Sequence, residues 1–404
     1  MDTDRAPDEG THRAGASDTT SERTAGTIAL YAMFGCLGYL LASFGSILPE
    51  LREERDLPRA EAALYPSAFA LGLVVIGLIG PRLTERLGRY ALPTALTALV
   101  GGAALLAAAG GRLGTAAGAL IFGLGGAGLV QLVPAALRAA HHGDGTVQIG
   151  EANAVASAAS VLSPILIGAA LAHGLGWRTA FVLPPLTAAA LLLLLARTSL
   201  RTPVRSKTTP ADPSGTAAVG GGGGWVFWGW WGDLVLAVGV EFCMVFWAAD
   251  FLGSVKGFGA GSAATLSAAF VLGMAVGRAA AGPVVRVAGR PERLLLVAAF
   301  VGIAGFAVLW TSPAPVAVAG LLLVGLGVAL LYPVILGQAL AAWASQPVRA
   351  AARCALASGV AIGIAPPLLG TLADLTTLRA AVLVAPALLT VLLVRCGWRL
   401  RATA

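Results

Sequence analysis

Glu241 lies inside an apolar stretch that runs from Leu234 to Trp247. Dehydrating such a side chain costs roughly 2.5 to 3.5 kcal/mol on insertion scales, so an ionisable group placed there faces a cavity or a partner. Burial favours the neutral acid and hydration favours the carboxylate, so a carboxyl group that meets both environments in turn can carry a proton. Asp233 precedes Glu241 by eight residues, about 12 Å along a helix at 1.5 Å per residue, and reads as a second proton-coupling group on the same helical face. The competing reading of Glu241 is an ion pair with a neighbouring helix, near Arg278, that never titrates.

Neutral polar groups at mid-stretch are the candidates for holding a solute. Gln131 and Gln338 occupy corresponding places in the two halves, and their amides offer donors and acceptors; Tyr39, Asn153 and Tyr332 are similar. Each of the last three has an equal claim as interhelical glue. Arg138 and Arg278 fall near the ends of apolar stretches and serve as gating charges or snorkel to the interface. Trp225, Trp228, Trp230 and Trp231 form an expected interfacial belt. Gly123 to Gly128 fits G-x-G-x-x-G, but no strand precedes it, so the glycines are assigned to helix contact rather than to a dinucleotide. His141-His142 lacks further ligands, and Cys36, Cys243, Cys354 and Cys396 lie far apart, so neither a metal site nor a disulfide framework is expected. No phosphate-cradling G-x-x-x-x-G-K-[ST] loop occurs, which leaves an ion gradient as the energy source and no cofactor. An enzyme would gather several acidic, His or Cys side chains at one depth, and the stretches hold too few.

The elements that position these residues follow from composition. Hydrophobic residues make up 57% of the chain and charged ones 12%, with a mean hydropathy of +0.82, a balance that belongs in lipid. Stretches of roughly 20 apolar residues, enough to cross the hydrocarbon core as helices, run at 27–48, 63–83, 91–110, 114–138, 152–173 and 178–197, then at 228–250, 263–286, 292–311, 315–337, 350–373 and 378–396. Leu191 to Leu195 is an unbroken leucine run, which no alternating barrel strand allows. The halves repeat: Ala117-Gly118 with Gly123-Leu124-Gly125 returns as Ala319-Gly320 with Gly325-Leu326-Gly327, and Pro164 with Gly168 returns as Pro366 with Gly370. Repeated matches at one offset mark a duplicated architecture.

The expected class is therefore an all-α polytopic membrane protein with twelve transmembrane helices in two pseudo-symmetric six-helix bundles, residues 25–197 and 225–397. A disordered cytoplasmic tail (1–24), a flexible Pro- and Gly-rich linker (198–224) and a short cytoplasmic tail (398–404) complete it. Lys and Arg concentrate in the segments on the amino-terminal side, including Arg82, Arg86, Arg89, Arg197, Arg201 and Arg205, which places both termini in the cytoplasm. That topology accounts for the net charge of +7 without a nucleic-acid partner. Lipid and a small-molecule substrate are the expected partners, and the chain is expected to act as a monomer.

Gly80-Pro81-Arg82-Leu83-Thr84-Glu85-Arg86-Leu87-Gly88-Arg89 resembles the signature loop of the major facilitator superfamily, with Glu85 standing where that family usually has Asp. Gly176-Trp177-Arg178-Thr179-Ala180-Phe181 is similar to a motif that many members carry at the start of the sixth helix. The resemblance spans residues 25 to 397 and implies a secondary active transporter of the cytoplasmic membrane, in which Glu85, Arg86 and Arg89, with Arg278 and Arg138, help to gate the cytoplasmic side. Glu241-Phe242-Cys243-Met244-Val245-Phe246-Trp247 is similar to helix seven of fucose permease-like sugar permeases. The expected activity is proton-coupled transport of a small organic solute by alternating access. Efflux of drugs or metabolites by proton antiport and a non-transporting receptor on the same scaffold are the alternatives. The exporters that resemble this chain carry Gly-Pro-x-x-Gly-Gly in the fifth helix, and Ser163-Pro164-Ile165-Leu166-Ile167-Gly168 departs from it.

Overall fold

The structure is a computed structural model that describes residues 10–141, 145–199, 224–281, 284, 287 and 289–402. Nearly all of the linker, the charged segment around Arg286 and His142 lie outside the described residues. Among the described residues, twelve helical spans are long and apolar enough to cross a membrane. In the first half they are α1 (Ala25–Arg55), α2 (Arg59–Gly80), α3 (Arg82–Ala108), α4 (Arg112–Ala140), α5 (Val147–Ala172) and α6 (Trp177–Leu194). In the second they are α7 (Gly224–Val255), α8 (Ala260–Ala279), α9 (Pro291–Thr311), α10 (Ala314–Ala342), α11 (Arg349–Leu375) and α12 (Leu378–Arg401). An even number of crossings puts both chain ends at one end of the molecule, the terminal end, opposite a far end.

Two boundaries differ from expectation. The helix of α1 extends back to Gly10, into the stretch expected to lack structure, because adding a residue to an existing helix is far cheaper than nucleating one. At the other end, the helix of α12 runs to Ala402 and takes up most of the expected tail.

The duplication inferred from sequence reappears as packing. A Cβ on Gly118 would collide with the backbone of Leu106, and one on Gly320 with the backbone of Leu309, so α3–α4 and α9–α10 cross at the same point of the repeat. Only glycine permits that approach, which lets interhelical dispersion contacts accumulate without a hydrophobic driving force.

Prolines inside spans free a carbonyl four residues earlier, and lipid offers it no water. The fold supplies protein donors instead. Pro184 frees the Ala180 carbonyl, which accepts from the Tyr39 hydroxyl at 2.5 Å; Pro366 frees the Ile362 carbonyl, which accepts from Ser67 Oγ at 3.1 Å. The tenth span is broken outright: one helix ends at Val328 and the next starts at Leu331, just before Pro333. The sequence pattern predicts one continuous span here, 315–337.

The bundles meet along α1–α7, α5–α8 and α2–α11. Their polar ties gather toward the far end. Arg59 Nε donates to Asp250 Oδ2 at 3.0 Å, and Arg52 Nη2 lies 3.6 Å from Asp250 Oδ1. The Asp374 carboxylate accepts from the Arg59 and Ala60 amides at 3.0 and 2.8 Å, capping the first turn of α2. Ser46 and Ser267 hydroxyls stand 3.4 Å apart. Toward the terminal end a cleft of about 650 Å³ separates α5 from α8.

Candidate functional site

Helices α1, α5, α7 and α8 surround a cavity of about 140 Å³ at mid-depth, between the bundles. Its only charged lining residues are Glu241 of α7 and Arg278 of α8. Arg278 Nη2 donates to Glu241 Oε1 at 3.0 Å; the Glu241 side chain is 15% exposed and that of Arg278 40%. Ser157 and Ser160 add hydroxyls, and the remaining wall is Gly38, Leu41, Ala42, Phe242, Val245, Val271, Met274 and Ala275. Arg278 also lines the cleft between α5 and α8, together with Asn153 and Ser157. Tyr332, just past the break in α10, comes within electrostatic range of both Glu241 and Arg278 and has Ser358 of α11 beside it.

The pair settles where Arg278 points. It is turned into the cavity toward Glu241 instead of snorkelling from a helix end. The geometry also realises the ion-pair alternative for Glu241, but in a water-accessible wall rather than in sealed protein. A discontinuous helix beside a mid-depth charge pair is the arrangement that transporter binding sites use, since irregular backbone is tolerated where it lines a cavity.

Asp233 is a correction. It is fully buried, bound by Arg395 Nε at 2.5 Å and by Arg399 Nη1, both of α12. Arg399 in turn stacks over the Trp230 ring, 3.8 Å from its centroid. Eight residues at 100° each leave about 80° between Asp233 and Glu241, and packing gives them different surroundings: Glu241 lines the cavity, whereas Asp233 fastens α7 to α12. Tyr39 is a second correction: buried, it is spent on the Ala180 carbonyl and does not line the cavity. Gln131 and Gln338 lie outside the cavity lining as well. Asn153 faces the cleft, where its amide donates to the Ile149 carbonyl at 2.8 Å.

Among the expected gating residues, Glu85, Arg86 and Arg138 are exposed at the terminal end. Arg89 donates to the Tyr90 hydroxyl at 2.7 Å. No ion pair ties Glu85 to another described residue. Of the four tryptophans, Trp225 and Trp228 are exposed as a belt requires, whereas Trp230 is buried and Trp231 Nε1 donates to the Arg353 carbonyl at 2.8 Å.

The second motif has a visible job. Gly176 takes φ 73° to turn the chain into α6, and Arg178 then grips Glu54 of α1 with both Nη atoms, at 2.9 and 2.6 Å, while Trp177 Nε1 adds a third bond at 3.0 Å. At the same far end Lys256 Nζ closes the last carbonyls of α9, Trp310 and Ser312, at 3.2 and 2.7 Å. Burial, and then the nearby Arg379, push the Lys256 pKa below the usual lysine value.

The sequence model of the Major Facilitator Superfamily matches residues 26–346. The chain belongs to that superfamily. Among solved structures it is similar to a bacterial homologue of the human lysosomal transporter Spinster in an inward-facing, unoccupied conformation, with 15% identity, a TM-score of 0.72, and 93% of this chain and 96% of that one covered. It is also similar to a mutant of the nucleoside transporter NupG, with 13% identity, a TM-score of 0.75, and coverage of 92% and 98%. At such identities these likenesses establish the fold and nothing about cargo. Curated protein sequences give no match. The superfamily's members are transporters and not enzymes, and its fold serves secondary active transport by alternating access.

Proposed function

We propose that the chain moves a small organic solute across the cytoplasmic membrane, with both termini in the cytoplasm, and that proton movement through Glu241 drives it. The observation that carries this reading is the Glu241–Arg278 pair on the wall of a cavity between the two bundles. With the far end tied and a cleft reaching from the cavity toward the terminal end, the conformation corresponds to one open to the cytoplasm. Rocking the bundles would rehydrate the pair from the other side. The basic terminal-end loops support this sidedness.

The test uses the purified protein in proteoliposomes. Glu241→Gln mimics the protonated acid, so accumulation driven by a pH gradient disappears while energy-independent counterflow persists. Uphill uptake at the parent rate with an unchanged pH profile removes Glu241 from coupling. Solute binding with no counterflow at all points to the receptor alternative.

A further inference from the structure

Resting on that transport reading, we infer that the solute is a small monocarboxylate with an apolar body, whose carboxylate takes the place of Glu241 on Arg278 while Glu241 takes up a proton from water in the cleft. Three observations lead there. First, the reachable charge is the cation: Arg278 is 40% exposed against 15% for Glu241, and it alone of the pair lines both the cavity and the cleft. Second, a guanidinium carries five N–H donors in a fork that matches a carboxylate, and only one hydrogen bond joins it to Glu241. The remaining donors are free to receive a second carboxylate in bidentate fashion. Third, apart from the hydroxyls of Ser157 and Ser160, the rest of the lining is apolar, mostly hydrocarbon and thioether from Leu41, Phe242, Val245, Val271 and Met274.

The same wall disfavours a sugar or a nucleoside. Such cargo needs many hydrogen-bond partners, and an unmade bond in a closed site is costly. Ser160 Oγ is already engaged, at 2.9 Å from the Gly38 carbonyl and 2.8 Å from that of Ala156. The pocket beside the pair is about 140 Å³, close to the roughly 150 Å³ of an apolar cavity that holds benzene, and it opens into the larger cleft. A solute body of about six heavy atoms fits.

Displacement sets the proton's destination. Arginine cannot lose its charge, whereas a carboxylate left unpaired at this depth is cheaper as the neutral acid. The charged group against Glu241 is Arg278 on α8, and Tyr332 on α10 lies within electrostatic range of both, with Cys354 of α11 near Tyr332 in turn. Helices α1 and α5 present hydroxyls and apolar atoms there, and Arg395 and Arg399 of α12 are committed to Asp233. Among the described residues that line the cavity, Arg278 is the sole cation, and one anion arrives with one proton.

The experiment measures binding to the detergent-solubilised full chain for benzoate, butyrate and hexanoate, each beside its amide and its amine. Carboxylates are expected to raise the melting temperature, with benzoate binding accompanied by uptake of about one proton in weakly buffered solution. Arg278→Gln should weaken benzoate binding about tenfold or more, a loss of at least 1.4 kcal/mol. Glu241→Gln should bind benzoate without proton uptake. Equal binding of amide or amine, no binding by any of the three carboxylates, or benzoate binding without proton uptake by the parent protein overturns the assignment. Glu241-dependent counterflow of a neutral or cationic solute would sink the anion assignment and leave transport standing; benzoate binding with proton uptake but no counterflow would do the reverse.

Discussion

Asp250→Asn tests the far-end tie most directly. The Asp250 side chain is 4% exposed and faces two arginines, Arg52 and Arg59, each 19% exposed. Deleting one partner of a buried pair costs roughly 3–5 kcal/mol because the other charge stays behind; arginines that keep a fifth of their surface in water place the cost near the lower bound, about 3 kcal/mol. In the conformation with the far end open, these groups are hydrated whether or not the carboxylate is charged. The cost therefore falls on the closed state alone, and only such a difference can shift a population. About 3 kcal/mol corresponds to a shift of roughly 150-fold toward the far-open state. Ser46, 3% exposed against Ser267 at the same interface, supplies the reporter. A Ser46→Cys variant should react slowly with a polar maleimide, over a low background because the native cysteines are all buried. Adding Asp250→Asn should raise its rate more than about tenfold, and Arg59→Gln on top should return part of the increase by removing one stranded charge. An unchanged labelling rate in Ser46→Cys/Asp250→Asn refutes the argument that this carboxylate holds the bundles together.

Two further outcomes follow from packing. Asp233→Asn strands Arg395 and Arg399 beside α7, so the thermal midpoint should fall by the equivalent of about 3 kcal/mol, and Arg395→Gln added to it should recover part of the loss. A midpoint unchanged by Asp233→Asn would return that residue to the candidates for coupling. Gly320→Ala pushes a methyl into the Leu309 backbone, and overpacking of this kind costs roughly 1–3 kcal/mol. Gly101→Ala, where nothing lies within 4 Å of the added carbon, should be neutral or mildly stabilising; equal midpoints for the two variants would contradict the close-approach reading of the repeat.

Which features the sequence revealed follows the range of the physics involved. Spans are local: apolar length alone located all twelve, with ends that moved by as many as nine residues, as at the start of α3. Glu241 stood out because an acid inside an apolar run is costly wherever the run packs. Its partner Arg278, 37 residues on, sits beside the end of its own apolar run, and sequence position could not separate a snorkelling arginine from one turned inward. Asp233 differed because Arg395 and Arg399 claim it, a pairing visible only once α7 and α12 are side by side. Tyr39 failed because the carbonyl that claims it is freed by Pro184, a donor–acceptor match visible only once α1 and α6 are side by side. The far-end tie was missed altogether, since Asp250, Asp374, Arg52 and Arg59 each look like ordinary charges at span ends. A signal was present in opposite charges at one depth: basic ends on α1 and α2, acidic ends on α7 and α11.

That distribution of charge also explains how one molecule can be held shut at one end and still switch. Ion pairs at span ends lie next to bulk water, so the alternating state rehydrates Asp250 and Arg59 and recovers most of what their separation costs. The pair at mid-depth meets water only through the cleft between α5 and α8, so its partners separate at least cost when another group satisfies Arg278 and neutralises Glu241. On the proposed mechanism, the end charges set which side is closed, while the central pair ties movement to the arrival of a solute and a proton. If the two sets were exchanged, with a weak pair at the centre and a sealed one at the end, the bundles would rock without cargo or not at all.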